Sequence, residues 1–73
     1  MIAIYGHPTR GNEVIECLKA LGGNQEFYPK GSSPRHLYYI NKENHIVYTS
    51  DSNKDLFTKV FTLEEYEKDM EQL

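Results

Sequence analysis

The chain has 73 residues, which is enough for one domain (1–73) and near the lower limit for a chain that folds alone. Its formal charge of −3 disfavours nonspecific binding of nucleic acid or anionic membrane, and its single cysteine excludes an intramolecular disulfide and multi-cysteine zinc frameworks. The lone cysteine, the lack of a secretory signal and the lack of an apolar run of about 18 residues predict a cytoplasmic protein with no membrane segment.

A strand and then a helix are predicted at the start of the chain. Residues 1–5 alternate as a short strand does, and the glycine and proline that follow end it. Thr9 is a residue type that caps helices, and residues 10–21 repeat apolar side chains at three- and four-residue spacing. Gly22 and Gly23 favour the left-handed conformation that ends a helix. The apolar stripe of this predicted helix consists of Val14, Cys17, Leu18 and Leu21.

The centre of the chain is predicted to be a β-hairpin over residues 35–50. Two runs rich in aromatic and β-branched residues flank a polar turn at residues 41–44, and those residue types fit a half-buried pleated surface. Residues 25–30 predict a brief strand before the hairpin, placed at a sheet edge because Pro29 has no backbone N–H to donate.

After the hairpin we expect a polar connection at residues 51–55 and another short strand at residues 56–61. The last element is predicted to be a helix over residues 62–72. Thr62 and Glu65 have the spacing of a capping box. An apolar stripe at helical spacing indicates the buried face, namely Leu63, Tyr66, Met70 and Leu73, and the acidic residues between them are expected to face solvent.

The predicted order of elements is therefore β-α-β-β-β-(β)-α. This order is typical of an α+β fold, with a small, mainly antiparallel sheet of about three to five short strands covered by two helices. A chain of this size is expected to be a monomer or a weak homodimer.

The loop at residues 6–11 is the first candidate site, because a loop between a strand and a helix start favours an anion. A phosphate-binding loop continues with lysine and then serine or threonine, whereas this chain has Asn12 and Glu13 there. Nucleotide hydrolysis is excluded on this ground. What remains is a small-anion site formed by Arg10 and the backbone at Gly11.

Catalytic and metal sites are not predicted. The three histidines, His7, His36 and His45, lie on three different segments without the spacing of a metal pair. Cys17 lies on the apolar stripe of the first helix, where cysteine behaves as a small buried hydrophobic residue rather than as a nucleophile. We therefore expect no enzyme activity, no metal and no cofactor.

The hairpin is the second candidate site, because its tyrosines alternate with basic residues. Aromatic side chains on a strand with basic neighbours can stack bases and contact phosphates, which indicates single-stranded nucleic acid as one ligand. Tyrosine is equally common in thin protein cores and at protein interfaces. The candidate binding residues are Tyr38, Tyr39, Tyr48, Arg35 and Lys42.

Three segments resemble small uncharacterised proteins of Bacteroides-type gut bacteria and their phages and prophages. The segments are LKALGGN at residues 18–24, YYIN at residues 38–41 and TLEEY at residues 62–66. The resemblance implies a bacterial or phage accessory protein, and it carries no catalytic residue.

From these patterns we expect a non-catalytic protein-interaction domain with an unidentified protein partner. Contact through the tyrosine-bearing sheet or the acidic last helix is expected. The alternatives are a single-stranded nucleic-acid-binding module at the hairpin and a small-anion binder at residues 6–11.

Overall fold

The computed structural model describes residues 1–25 and 29–71, which form one sheet with both helices packed on the same face. The elements in chain order are β1 (Ile2–Tyr5), α1 (Gly11–Ala20), β2 (His36–Ile40), β3 (Ile46–Ser50), a 3₁₀ segment (Asp51–Leu56), β4 (Lys59–Phe61) and α2 (Leu63–Glu71).

The sheet has the strand order β3-β2-β1-β4 over the described residues. The β1–β2 and β2–β3 pairs are antiparallel, whereas β4 lies parallel to β1. The predicted α+β fold, with a small, mainly antiparallel sheet and two helices, is confirmed. The first strand of the chain is thus a central strand, and its two neighbours come from the middle and the later part of the sequence.

The start of α1 differs from the prediction. The residue before the helix is Arg10, which makes no side-chain capping bond, so the predicted cap at Thr9 is wrong. His7 replaces it, because its Nδ1 atom accepts hydrogen bonds from the backbone N–H groups of Thr9 (3.2 Å) and Arg10 (3.0 Å). A histidine nitrogen a few residues before the helix satisfies donors that a hydroxyl usually satisfies.

The end of α1 is as predicted. Gly22 adopts a φ of 102°, and its N–H donates to the carbonyl of Lys19 at 3.0 Å. The N–H of Gly23 donates to the carbonyl of Leu18, also at 3.0 Å, which completes the pair of bonds of a Schellman motif.

The predicted hairpin is present, with Tyr38 opposite Tyr48 and Ile40 opposite Ile46. Its turn is held by Asn41, whose Oδ1 atom accepts from the N–H groups of two later turn residues at 3.0 and 2.9 Å. The side chain of this asparagine thus fixes the register of the two strands.

The main core lies between the sheet and the two helices. Ile15 is buried although the predicted α1 stripe omitted it, and Leu21, which the stripe included, is 48% exposed at the end of the helix. The buried members of this core are Ile4, Val14, Ile15, Leu18, Tyr38, Ile46, Phe61, Leu63 and Tyr66.

The opposite face of the sheet carries a smaller apolar cluster. Ala3 and Leu37 are fully buried there beneath Phe57, which the 3₁₀ segment brings back against the sheet. The predicted polar connection is therefore a pair of 3₁₀ turns, and the predicted strand at residues 56–61 is shortened to β4.

The start of α2 is as predicted. Glu65 N–H donates to Thr62 Oγ1 at 3.1 Å, and Thr62 N–H donates to Glu65 Oε1 at 2.8 Å, which is a complete capping box. Leu63 and Tyr66 of the predicted stripe are buried, whereas Met70 is half-exposed. Leu73 lies outside the described residues.

Of the predicted strand at residues 25–30, residues 26–28 lie outside the described part of the chain, and residues 25, 29 and 30 are not in a strand. Just before them, Asn24 forms an isolated parallel bridge with His45. Among the described residues, no helix has the length and apolar character needed to cross a membrane.

Candidate functional site

The three candidate tyrosines of the hairpin do not share one exposed face. Tyr38 points toward the helices and is 3% exposed, whereas Tyr39 lies on the opposite face and packs edge-on against Phe57 at 5.0 Å. Tyr48 is half-exposed and stacks on His36 with the ring centroids 4.6 Å apart. A stacking platform made of all three tyrosines is therefore not what the structure contains.

The two candidate basic residues are also separated. Arg35 immediately precedes β2 and Lys42 follows it, so they lie at opposite ends of a five-residue strand. Both are exposed. The basic residues and tyrosines that indicate a nucleic-acid site in the sequence therefore do not form one surface in the structure.

Tyr38 has a structural role in the described fold. Its hydroxyl oxygen accepts from the N–H of Ser33 at 3.4 Å, and its burial raises the pKa of the phenol. Its ring also lies 2.7 Å from the place that a side chain on Gly6 would occupy. The tyrosine therefore fixes the loop after β1 against the hairpin.

Arg10, the candidate anion-binding residue, already contacts two carboxylates. Its guanidinium donates to both oxygens of Glu13 (2.6 and 2.9 Å) and to both oxygens of Glu67 (2.7 and 2.8 Å). Hydrogen bonds from Arg10 hold the pKa of Glu13 below its usual value. An anion would have to displace these carboxylates, so the predicted anion site is occupied by the protein itself.

Gly11, the other residue of that candidate site, is a packing residue. A side chain there would lie 2.8 Å from the backbone of Gly31, and Gly31 itself has a φ of 73°. His7 N–H donates to the carbonyl of Gly31 at 2.9 Å. The two glycines let two loops touch, which leaves no room for a ligand between them.

His7, Thr9 and Glu64 resemble a nucleophilic triad in their connectivity. The Thr9 hydroxyl lies 3.2 Å from His7 Nδ1, and His7 Nε2 lies 2.9 Å from Glu64 Oε1. Because Nδ1 also accepts two backbone N–H groups, the neutral ring carries its proton on Nε2 and donates it to Glu64. The Nδ1 lone pair is thus already engaged at the helix start, and the arrangement ties α1 to α2.

The two helices are joined at one end and leave an apolar depression at the other. His7 with Glu64 and Arg10 with Glu67 join the residues just before α1 to the first half of α2. Toward the ends of the helices lie two concavities of about 180 and 350 Å³, separated by the last turn of α1. We call their combined lining the helix-end cleft, which comprises Met1, Ile2, Cys17, Leu18, Ala20, Leu21, Ile40, Tyr66, Glu67 and Met70.

The helix-end cleft exposes apolar side chains next to an acidic surface. Leu21 and Met70 are each about half exposed, and Met1 is 61% exposed. The sequences of α1 and α2 contain seven acidic residues and two lysines, a formal charge of −5, whereas the whole chain carries −3. The helix layer is therefore the negative side of the molecule.

Cys17 lines this cleft and is partly buried. Burial is the main cause that raises the pKa of its thiol, and the nearby carboxylates of Glu67 and Glu13 act in the same direction. The thiol is therefore neutral at physiological pH and contributes apolar surface to the cleft.

The sequence contained a partial signal for this cleft. Leu21 and Met70 both belong to the predicted apolar stripes, and both lie at the ends of their helices. In the described part of the chain, no group of histidine, cysteine and carboxylate side chains has the arrangement of a metal site.

No protein-family model, curated protein or solved structure matches the sequence or the fold.

Proposed function

We propose that the chain is a non-catalytic protein-interaction domain that holds one amphipathic helix of a partner protein in the helix-end cleft. The observation that carries the proposal is the exposure of Leu21 and Met70 beside two concavities at the same end of the helix layer. Apolar side chains at helical spacing on a partner would cover these residues and enter the concavities.

The charge of the helix layer selects the partner. With a formal charge of −5 on α1 and α2, the rim of the cleft attracts a helix whose polar face carries lysine or arginine. Arg10, which precedes α1, offsets one of these charges through its ion pairs with Glu13 and Glu67, and the helix layer still carries −4. The proposed partner is therefore both apolar and basic.

The ion pairs at the start of the helices support binding in another way. They fix α1 against α2 through contacts that span 57 residues of sequence, so the walls of the cleft are held in place before a partner arrives. A preformed site avoids part of the ordering cost of binding.

The proposal includes a cytoplasmic location and a role as a bacterial or phage accessory protein. The first rests on the lone cysteine of the chain and the second on its resemblance to small proteins of gut bacteria and phages.

Titration of the isotope-labelled protein with a synthetic helical peptide tests the function. The peptide has about 18 residues, with leucines along one face and lysines elsewhere. We expect backbone amide shifts at residues 17–21 and 66–70. Leu21→Ser and Met70→Ser should each weaken binding by about tenfold, because each removes an apolar contact without changing the charge.

Three controls make the result decisive. Leu56→Ser changes an apolar side chain that is 71% exposed outside the cleft and should leave the affinity unchanged. A lysine-serine peptide of the same charge should bind much more weakly, and equal binding of the two peptides would contradict the proposal. Single-stranded DNA of mixed sequence should cause no salt-sensitive shifts at residues 35–48, and such shifts would instead favour the nucleic-acid alternative.

A further inference from the structure

The two concavities of the helix-end cleft differ in chemistry. The smaller one, of about 180 Å³, is lined by apolar residues alone. The larger one, of about 350 Å³, is lined by residues of α1 and α2, and the charged residue in its lining is Glu67. The two concavities therefore fit different side chains of a partner.

The carboxylate of Glu67 is held in place by the protein. Arg10 Nη2 lies 2.7 and 2.8 Å from its two oxygen atoms. The side chain of Glu67 nevertheless remains 43% exposed, so a group from outside the chain can reach it. Because the carboxylate is already fixed, a partner that binds it avoids part of the cost of ordering it.

Arg10 does not supply all the donors that Glu67 can accept. The same Nη2 atom also lies 2.9 Å from Glu13 Oε1, so one nitrogen with two hydrogens faces three carboxylate oxygens. The single positive charge of Arg10 is likewise shared by two carboxylates. Glu67 therefore keeps acceptor sites and part of its negative charge for a second cation.

The walls beside Glu67 fit the methylene stem of a long basic side chain. Cys17, Ala20 and Met70 provide surface against which methylene groups can pack. Met70 lies three residues after Glu67, which places the two side chains on one face of α2, one turn apart. A side chain that passes Met70 along the concavity therefore brings its end to Glu67.

We propose that the larger concavity takes a lysine or arginine side chain of the partner helix, with its stem against Met70 and Ala20 and its cationic end on Glu67. The smaller concavity then takes an apolar side chain of the same helix. This inference rests on the proposed function. It adds that the partner needs one particular basic residue beside its apolar face, besides a general positive charge.

A double-mutant cycle with the leucine-lysine peptide tests the contact. Each lysine that flanks the leucine face is replaced in turn by methionine, which keeps an unbranched apolar stem and removes the charge. For one of these lysines, the replacement should weaken binding to the natural protein by about fivefold and binding to Glu67→Gln by less than about twofold. Asp69→Asn removes a charge of the same helix outside the cleft, beside β4, and should show the same loss as the natural protein.

The ¹³C signal of the Glu67 carboxylate gives a second measurement, made on the natural protein. It should shift when the peptide binds, and much less when the peptide that lacks the contacting lysine binds. An equal loss for every lysine, or the same loss in Glu67→Gln as in the natural protein, would overturn the inference while the peptide still binds in the cleft. A peptide that does not bind the natural protein would contradict the proposed function, and with it this inference.

Discussion

The imidazole ring of His7 has two structural roles, one for each of its nitrogen atoms. Its Nδ1 atom accepts the backbone donors that precede α1, and its Nε2 atom donates to Glu64 at the start of α2. The sequence could not predict this, because Thr9 is the residue type that usually caps a helix and histidine is not. The sequence also predicts an anion site at Arg10 and Gly11. It does not reveal that Arg10 contacts a carboxylate of the protein, because Glu67 lies 57 residues away in the chain.

Substitution of His7 tests its role as the acceptor at the helix start. His7→Ala removes the acceptor and should lower the free energy of unfolding by about 1 kcal/mol, as the loss of a helix cap does. His7→Asn should retain most of the stability, because an asparagine oxygen in this position accepts the same two backbone donors. Urea denaturation measures both variants, and equal destabilisation would show that the Nδ1 bonds contribute little.

At the scale of the elements, local patterns predicted helix ends well where the partners are close in sequence. The capping box of α2 spans four residues, and the glycine ending of α1 needs no distant contact. The 3₁₀ segment gave no apolar periodicity, because its side chains are all exposed, and it was therefore predicted as a connection without structure. The length of β4 depends on pairing with β1, which its own residues do not encode.

The glycine ending of α1 supplies a test at this scale. A side chain on Gly22 would meet nothing within 4 Å, so Gly22→Ala should cost only the strain of a positive φ, about 1 kcal/mol. Gly22→Asn should cost less, since asparagine tolerates the left-handed region. Thermal or urea unfolding of the two variants gives the comparison, and an alanine variant as stable as the natural sequence would contradict it.

At the scale of the whole molecule, the alternation of side chains along β2 places the neighbouring Tyr38 and Tyr39 on opposite sides of the sheet. It could not indicate which side the helices cover, since both faces of the hairpin carry apolar residues. The acidic residues of α2 were expected to face solvent, yet Glu64 and Glu67 contact the loop before α1. These contacts link distant segments of the chain and give the fold a dependence on pH.

Acid should destabilise the protein partly through these carboxylates. The pKa of Glu13 is lowered by hydrogen bonds from Arg10, and that of Glu64 by its own backbone N–H and then by His7. A carboxyl group with a lowered pKa binds fewer protons in the folded state than in the unfolded state. Its stabilisation is therefore complete above the unfolded pKa of about 4.3 and is lost as the pH falls through the lower folded value.

Arg10→Gln should reduce this pH dependence. The variant should be less stable than the natural protein at pH 7, and the difference should shrink toward pH 3, where the carboxylates become protonated in both. Arg35→Gln, at an exposed position before β2, is the matched control and should follow the natural profile. Melting temperatures of the two variants and the natural protein, recorded across this pH range, test the prediction. If the melting temperature of Arg10→Gln changes with pH in parallel with that of the natural protein, Arg10 does not contribute to the pH dependence.

The parallel pairing of β1 with β4 affects how the chain folds during synthesis. β1 leaves the ribosome well before β4, yet one of its two neighbours is made only at Lys59–Phe61. Until then the growing chain has an unsatisfied strand in the middle of its future sheet. For the nascent chain, the emergence of β4 is therefore the step that covers the unpaired side of β1, and a ribosome stalled before it would hold a chain that cannot finish folding.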